Sequence, residues 1–233
     1  LVEHSDLIGD VFVGALTDSL GNYIIKNINY GNGTTFTVTP SLESIIGRSL
    51  EFDGVNDYID FSARRIELSN GFTIESWFKT PGASSDMILF STRNPVDQTV
   101  QLEVSMLASS SQLTVKYFDQ VTTVGEGLNN NLWHHWAVAV DTLNQTIEIY
   151  IDGGSSLGGS QSVELLSSNL IDDITVLSEL KIGSGLNNNA YFLGFMDESR
   201  VWSGPRTLDQ ITGTMNQTLV GDETGLSSYW NFN

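Results

Sequence analysis

The chain has 233 residues, and its 28 acidic side chains against 10 basic ones give a formal net charge of −18. A charge of that sign and size excludes electrostatic attachment to nucleic acid or to anionic lipid as the main task. With 40% apolar residues the chain can still build a core, so it reads as a folded protein with a carboxylate-rich skin. The absence of Cys removes disulfide frameworks, thiol nucleophiles and Cys-ligated zinc. No apolar run approaches the ~18–20 residues that cross a bilayer, so membrane insertion is not expected. The chain opens at Leu1 without Met, which predicts a piece of a longer chain with other domains.

In chain order the signals are those of strands. Gly21-Asn22-Tyr23-Ile24-Ile25, Tyr30-Gly31-Asn32-Gly33 and Thr35-Phe36-Thr37-Val38-Thr39-Pro40 form a hairpin pattern with Asn32-Gly33 as its tight turn. A composition shift near 41–49 separates this segment, residues 1–47, from residues 48–233. Phe72 to Lys79 and Trp133 to Asp141 are apolar on both parities, which places them where both sheet faces are covered. Ile147, Ile149 and Ile151 alternate with Glu148, Tyr150 and Asp152, and Gly153-Gly154 stops that half-buried strand. Turns recur at Asp53-Gly54, Asn70-Gly71, Pro81-Gly82 and Gly183-Ser184-Gly185, and this spacing predicts an all-β, two-sheet antiparallel sandwich or jelly roll. Thr207-Leu208-Asp209-Gln210 has the form of a capping box and predicts one short helix near the C-terminus, with Leu208, Ile211 and Met215 as its apolar face.

Leu50-Glu51-Phe52-Asp53-Gly54-Val55-Asn56-Asp57-Tyr58-Ile59 resembles the opening signature of laminin-G-like domains of the concanavalin A-like lectin/glucanase superfamily. Phe72-Thr73-Ile74-Glu75-Ser76-Trp77-Phe78-Lys79, Trp133-His134-His135-Trp136 with Ile149-Tyr150-Ile151-Asp152-Gly153, and Gly194-Phe195-Met196-Asp197-Glu198-Ser199-Arg200-Val201-Trp202 are similar to its later signatures. The resemblance implies a concanavalin A-like jelly roll over residues 48–233, used to bind glycans or proteins, often with calcium. Residues 1–47 instead resemble part of a carboxypeptidase-regulatory-like or Cna-B-like module of bacterial surface proteins. In the resembling family a segment like Gly225-Leu226-Ser227-Ser228-Tyr229-Trp230-Asn231-Phe232 opens the domain. Here it is expected to pair within the same sandwich, with Tyr229 or Trp230 in the core.

A retaining glycosidase needs two carboxyl groups about 5–5.5 Å apart. The related glucanases carry Glu-x-Asp-x-x-Glu on one strand, and in this sequence Tyr150 stands between Glu148 and Asp152 where the middle carboxylate should be. These two carboxylates are read as solvated strand-edge residues, and no catalytic residue is expected. Calcium takes about six to eight oxygens. The turn Asp53, Asn56 and Asp57, joined by Asp197 from another strand, is the candidate structural calcium site; Asp197 is otherwise a partner for Arg200. Zinc is not expected, because His134 and His135 are strand neighbours facing opposite ways. A lectin-like site sets an aromatic ring against a sugar face and amides against its hydroxyls. Asn130 and Asn131 before Trp133, and Asn188 and Asn189 before Tyr191, are the candidate ligand-binding residues.

The sequence therefore predicts a non-catalytic, lectin-like carbohydrate-binding module of a secreted or cell-surface bacterial protein, with a polysaccharide or glycoprotein glycan as partner. A protein-binding adhesion module is the alternative, and a glycoside hydrolase or lyase the more distant one.

Overall fold

The computed structural model describes residues 2–6, 9–13, 36–38, 49–61, 71–82, 84–154, 160–164 and 179–232. The Asn32-Gly33 turn lies outside the described residues. Two compact units are present, Leu1–Arg48 and Ser49–Asn233. In the first, β1 (Val2–Asp6) pairs antiparallel with β2 (Gly9–Val13) and with β3 (Phe36–Val38).

Among the described residues, the second unit is built from two antiparallel sheets. One has six strands in the order β10 (Gln120–Val124), β9 (Leu113–Tyr117), β8 (Val100–Met106), β7 (Met87–Arg93), β14 (Glu179–Ile182) and β5 (Ile59–Asp60). The other has seven, with the path β13 (Ser160–Glu164), β12 (Thr146–Ile151), β11 (Trp133–Asp141), β6 (Phe72–Lys79), β15 (Leu193–Ser203) and β16 (Leu226–Trp230). Strand β4 (Leu50–Asp53) completes the second sheet by pairing with the first part of β15. This is the expected jelly-roll sandwich, with the short helix α1 (Leu208–Thr214).

Why β6 and β11 are apolar on both parities is plain from their neighbours. Phe72, Ile74 and Phe78 of β6, with Trp136, Val138 and Val140 of β11, enter the core between the sheets. The opposite face of β11 carries Ala137 and Ala139, which pack with Tyr150 and with Ile211 of α1. Small side chains there let the helix lie close to the sheet. Thr207 caps α1 as expected: its side chain accepts the Gln210 amide, and Gln210 Oε1 accepts the Thr207 amide at 2.9 Å. Ile211 is buried, whereas Leu208 is 36% exposed, so the apolar face is narrower than its sequence suggests.

Beneath the helix lies a charged network. Glu75, fully buried on β6, accepts a hydrogen bond from Trp202 Nε1 at 2.8 Å. Its carboxylate lies 3.3 Å from Arg206 Nη1, 3.5 Å from Arg200 Nη1 and 3.5 Å from His135 Nε2. Arg200 also donates to Glu198 and to the backbone carbonyls of Thr214 and Gln217. Arg206 donates to the Gln210 carbonyl, and Trp77 Nε1 donates to that of Met215. The Thr214 and Met215 carbonyls, which the helix C-terminus leaves unpaired, are thus satisfied from the sheet by Arg200 and Trp77.

Strand β15 is long because it serves two partners along one edge. Its first part pairs with β4 and its last part with β16, while β6 runs along the other side. A register shift between Asp197 and Arg200 bends it on the β6 side, and Glu198 takes a φ of 52°. Gly194 is required near its start, since a Cβ there would stand 2.1 Å from the Lys79 carbonyl oxygen. As expected, the C-terminal segment closes this sheet, and Trp230 packs against the core with its ring 4.4 Å from that of Phe61.

Candidate functional site

Among the described residues, the registers bring six stretches of connecting chain to one end of the sandwich: 54–58, 80–82 with 84–86, 107–112, 125–132, 152–154 and 183–192. Backbone bonds lace several of them together. Asn131 N donates to the Thr80 carbonyl at 3.0 Å, Leu128 N to that of Ser111 at 3.0 Å, and Ile88 N to that of Ala190 at 2.8 Å. Every residue singled out in the sequence as a ligand or metal candidate lies at this end, apart from Asp197.

The four metal candidates do not assemble. Asp53 is the Cα partner of Leu193, four residues along β15 from Asp197, a separation of about 13 Å at strand rise. Asp53 Oδ1 accepts the amides of Val55 at 2.8 Å and Asn56 at 3.3 Å, and Asp57 Oδ2 accepts the Asp53 amide at 2.9 Å. The Val55 and then the Asn56 amide hold the Asp53 carboxyl below its ordinary value. These oxygens close a turn on themselves, and the donor set joining it to Asp197 does not fit a calcium ion. Among the described residues no group of three or more His, Asp or Glu is placed to hold a metal. Asp197 itself is half-buried beside the register shift, where desolvation pushes its carboxyl up to about 6. Nor is it the partner of Arg200, which is held by Glu198 and Glu75.

Around the Asn129–Asn131 loop, His134 is the organising group. Its Nδ1 lies 2.8 Å from Asp152 Oδ2 and its Nε2 3.1 Å from Asn130 Oδ1, which also accepts the Leu132 amide. The second Asp152 oxygen accepts the His135 amide at 2.8 Å. Asp152 is therefore spent on the loop, not poised with Glu148. Glu148 is half-buried on β12, which β13 covers, so neither residue is the solvated edge carboxylate the alternation suggested. Asn131 and Trp133 are exposed beside them.

The Asn187–Asn189 loop makes a different surface. Lys181, 6% exposed on β14, sets its Nζ 4.5 Å from the centre of the Tyr58 ring and 3.6 Å from Asp60 Oδ2. It also donates to Asn188 Oδ1. The Tyr58 and Tyr191 rings lie 6.4 Å apart and tilted by 34°, and Tyr58 is 38% exposed. Asn188 and Asn189 are exposed, and Asn189 lies over Gly185, where a Cβ would meet its Oδ1 at 2.5 Å. Tyr191, Asn188 and Asn189 thus come together as a group, apart from Asn130 and Asn131. Tyr58, Asp60 and Lys181 are the members that sequence reasoning missed; a lysine between Leu180 and Ile182 in a core strand was the available signal.

The profile of the Concanavalin A-like lectin/glucanases superfamily, laminin G type, matches residues 53–212. The chain belongs to that superfamily. Among curated proteins, the laminin G-type domain is 26% identical over 169 residues to the adhesion G-protein coupled receptor V1 of Danio rerio. That match covers 68% of this chain and 2% of the receptor, so the chain spans a small part of its relative. Among solved structures it is similar to tailspike protein 2 of Escherichia coli O157:H7 bacteriophage CAB120, with TM-score 0.58 and 15% identity, over 79% of this chain and 26% of that one. It is also similar to the IT-sialidase CBM40 of Ruminococcus gnavus, with TM-score 0.55 and 14% identity, over 72% of this chain and 96% of that one. At these identities the likeness shows the sandwich fold alone, and the fold does not assign catalysis.

Proposed function

We propose that the chain is a carbohydrate-binding module of a secreted or cell-surface protein, and that the loop end of its sandwich is the ligand surface. The observation that carries this reading is the exposed Tyr58 ring beside Tyr191, Asn188 and Asp60. An aromatic face next to amide and carboxylate groups suits a sugar, which presents C–H groups on one side and hydroxyls at its rim. Similarity to the Ruminococcus gnavus CBM40 supports the same reading. The engaged oxygens of Asp152 support binding without hydrolysis. The resemblance of residues 1–47 to a Cna-B-like segment suits a multidomain surface protein. A glycan array probed with the wild-type chain and with Tyr58→Ala tests the proposal. Binding that the substitution weakens is expected, and an array blank at every glycan refutes it. A reducing-sugar assay on glucans, galactans and chitin is expected to stay at background.

A second reading has its own support. Val55 at 66%, Leu132 at 63% and Trp133 at 39% exposure put apolar side chains on the same end, as a protein ligand would use.

A further inference from the structure

Resting on the carbohydrate reading, we infer that this site takes an uncharged sugar, and that Lys181 builds the seat without recognising the ligand's charge. Lys181 is the basic side chain in the Tyr58–Tyr191 group, and at first sight it suits a sugar carboxylate. The geometry says otherwise. An ammonium has three N–H donors. Here Nζ faces the Tyr58 ring, Asp60 Oδ2 and Asn188 Oδ1, and the side chain is 7% exposed. Its charge is balanced by Asp60, its Cα partner across the β14–β5 ladder. The ammonium therefore sets the tilt of one ring and the position of one amide.

The surroundings point the same way. The stretches 54–58, 80–82 with 84–86, 107–112, 125–132, 152–154 and 183–192 contain no Lys or Arg. They and the strand ends beside them carry Asp53, Asp57, Asp86, Glu126 and Asp152. Lys79, at the end of β6, lies with its Nζ 5.6 Å from the centre of the Phe195 ring. On a chain of net charge −18, this end repels an approaching carboxylate or sulfate. The Ruminococcus gnavus CBM40 of similar fold is bound to α2,3-sialyllactose, an anionic sugar. The two sandwiches thus differ in ligand charge class while sharing their architecture.

The test is an array carrying neutral, sialylated, uronate-containing and deacetylated amino-sugar glycans, followed by calorimetry on the best neutral oligosaccharide. The expected result is binding confined to neutral and N-acetylated glycans, weakened about ten-fold or more by Tyr58→Ala and by Tyr191→Ala. Asn188→Ala, on an exposed side chain, and Lys181→Met should weaken the same neutral glycans together. Affinity for a neutral glycan should be flat between about 50 and 500 mM salt, a range over which a direct charge contact would be screened. Preference for a sialylated, uronate or free amino sugar overturns the inference while leaving the carbohydrate reading intact, as does neutral-glycan binding indifferent to Tyr58→Ala. A steep fall with salt would show Lys181 or another charge contacting the ligand and would also overturn it. An array blank throughout removes the carbohydrate reading and the inference with it.

Discussion

Replacing Glu75 by Gln keeps the shape of the side chain and an acceptor for Trp202, and removes only the negative charge. That charge lies at the centre of the network under α1, fully buried, within 3.5 Å of Arg200 and within 3.3 Å of Arg206. Removing one partner of a buried ion pair typically costs about 3–5 kcal/mol, because the other charge stays buried without compensation. Arg200 retains Glu198 and two carbonyls, and Arg206 retains Thr214 Oγ1 and the Gln210 carbonyl. The loss is therefore set at the low end, about 3 kcal/mol, a large share of the ~5–15 kcal/mol that holds a domain folded. For a unit of this size it corresponds to a fall in Tm of about 6–12 °C, read by calorimetry at neutral pH. Burial pushes the Glu75 carboxyl up, but the hydrogen bond and charge of His135, the Arg200 charge and the Trp202 N–H outweigh it and hold it below its ordinary value of 4.5. The stabilisation is then complete above that value and is lost as the pH falls through the lower folded one. The gap between wild type and Glu75→Gln should accordingly close in acid. A Tm within about 2 °C of wild type at neutral pH would show that the network contributes nothing net, and would refute the reasoning.

Trp230→Ala should destabilise the second unit by about 2–3 kcal/mol, since its ring rests on Phe61 and on the core; urea unfolding measures this, and an unchanged midpoint would detach β16 from the sandwich's stability. Asp197→Asn should raise Tm at pH 7.5 and leave it unchanged at pH 3. Desolvation lifts the Asp197 carboxyl from 3.8 to about 6 in the folded state, so the wild type loses stability as the pH rises between those values. Melts at both pH values check the sign, and a variant less stable at pH 7.5 would contradict it. Asp53→Ala should lower Tm equally in calcium and in chelator, because Asp53 closes a turn with its own neighbours; a loss seen only with calcium would restore a metal site there.

Local chemistry made the sandwich legible. The two-parity apolar runs of β6 and β11 required cover on both faces, and the capping box at Thr207 marked the start of α1 to the residue. Asp53 and Asp197 misled because each sits in a plausible context, yet the distance between them is fixed by the β4–β15 register, which composition does not encode. Lys181 and Asp60 are likewise joined only by the β14–β5 pairing, across a sequence separation that no local pattern spans. Buried charge was the neglected signal. Glu75 amid FTIESWFK and Arg200 before Val201-Trp202 are costly places for charge unless each meets a partner. The alternation around Glu148 gave its face correctly but not the presence of β13 beside it.

A seven-residue helix has no independent existence in water. In this fold the Thr214 and Met215 carbonyls at its C-terminal end are held by Arg200 and Trp77 from the strands below, and the Gln210 carbonyl by Arg206 from the connection that precedes the helix. Unwinding α1 would take a carbonyl partner from each of two guanidinium groups and from an indole, as well as uncover Ile211. The amide protons of Ile211 and Met215, which close the helical bonds to Thr207 and Ile211, are therefore bound to the fate of the sheet. In deuterated solvent they should exchange with the slow strand amides of β6 and β15 and not with the loops, making a peripheral element a reporter of the whole domain's opening.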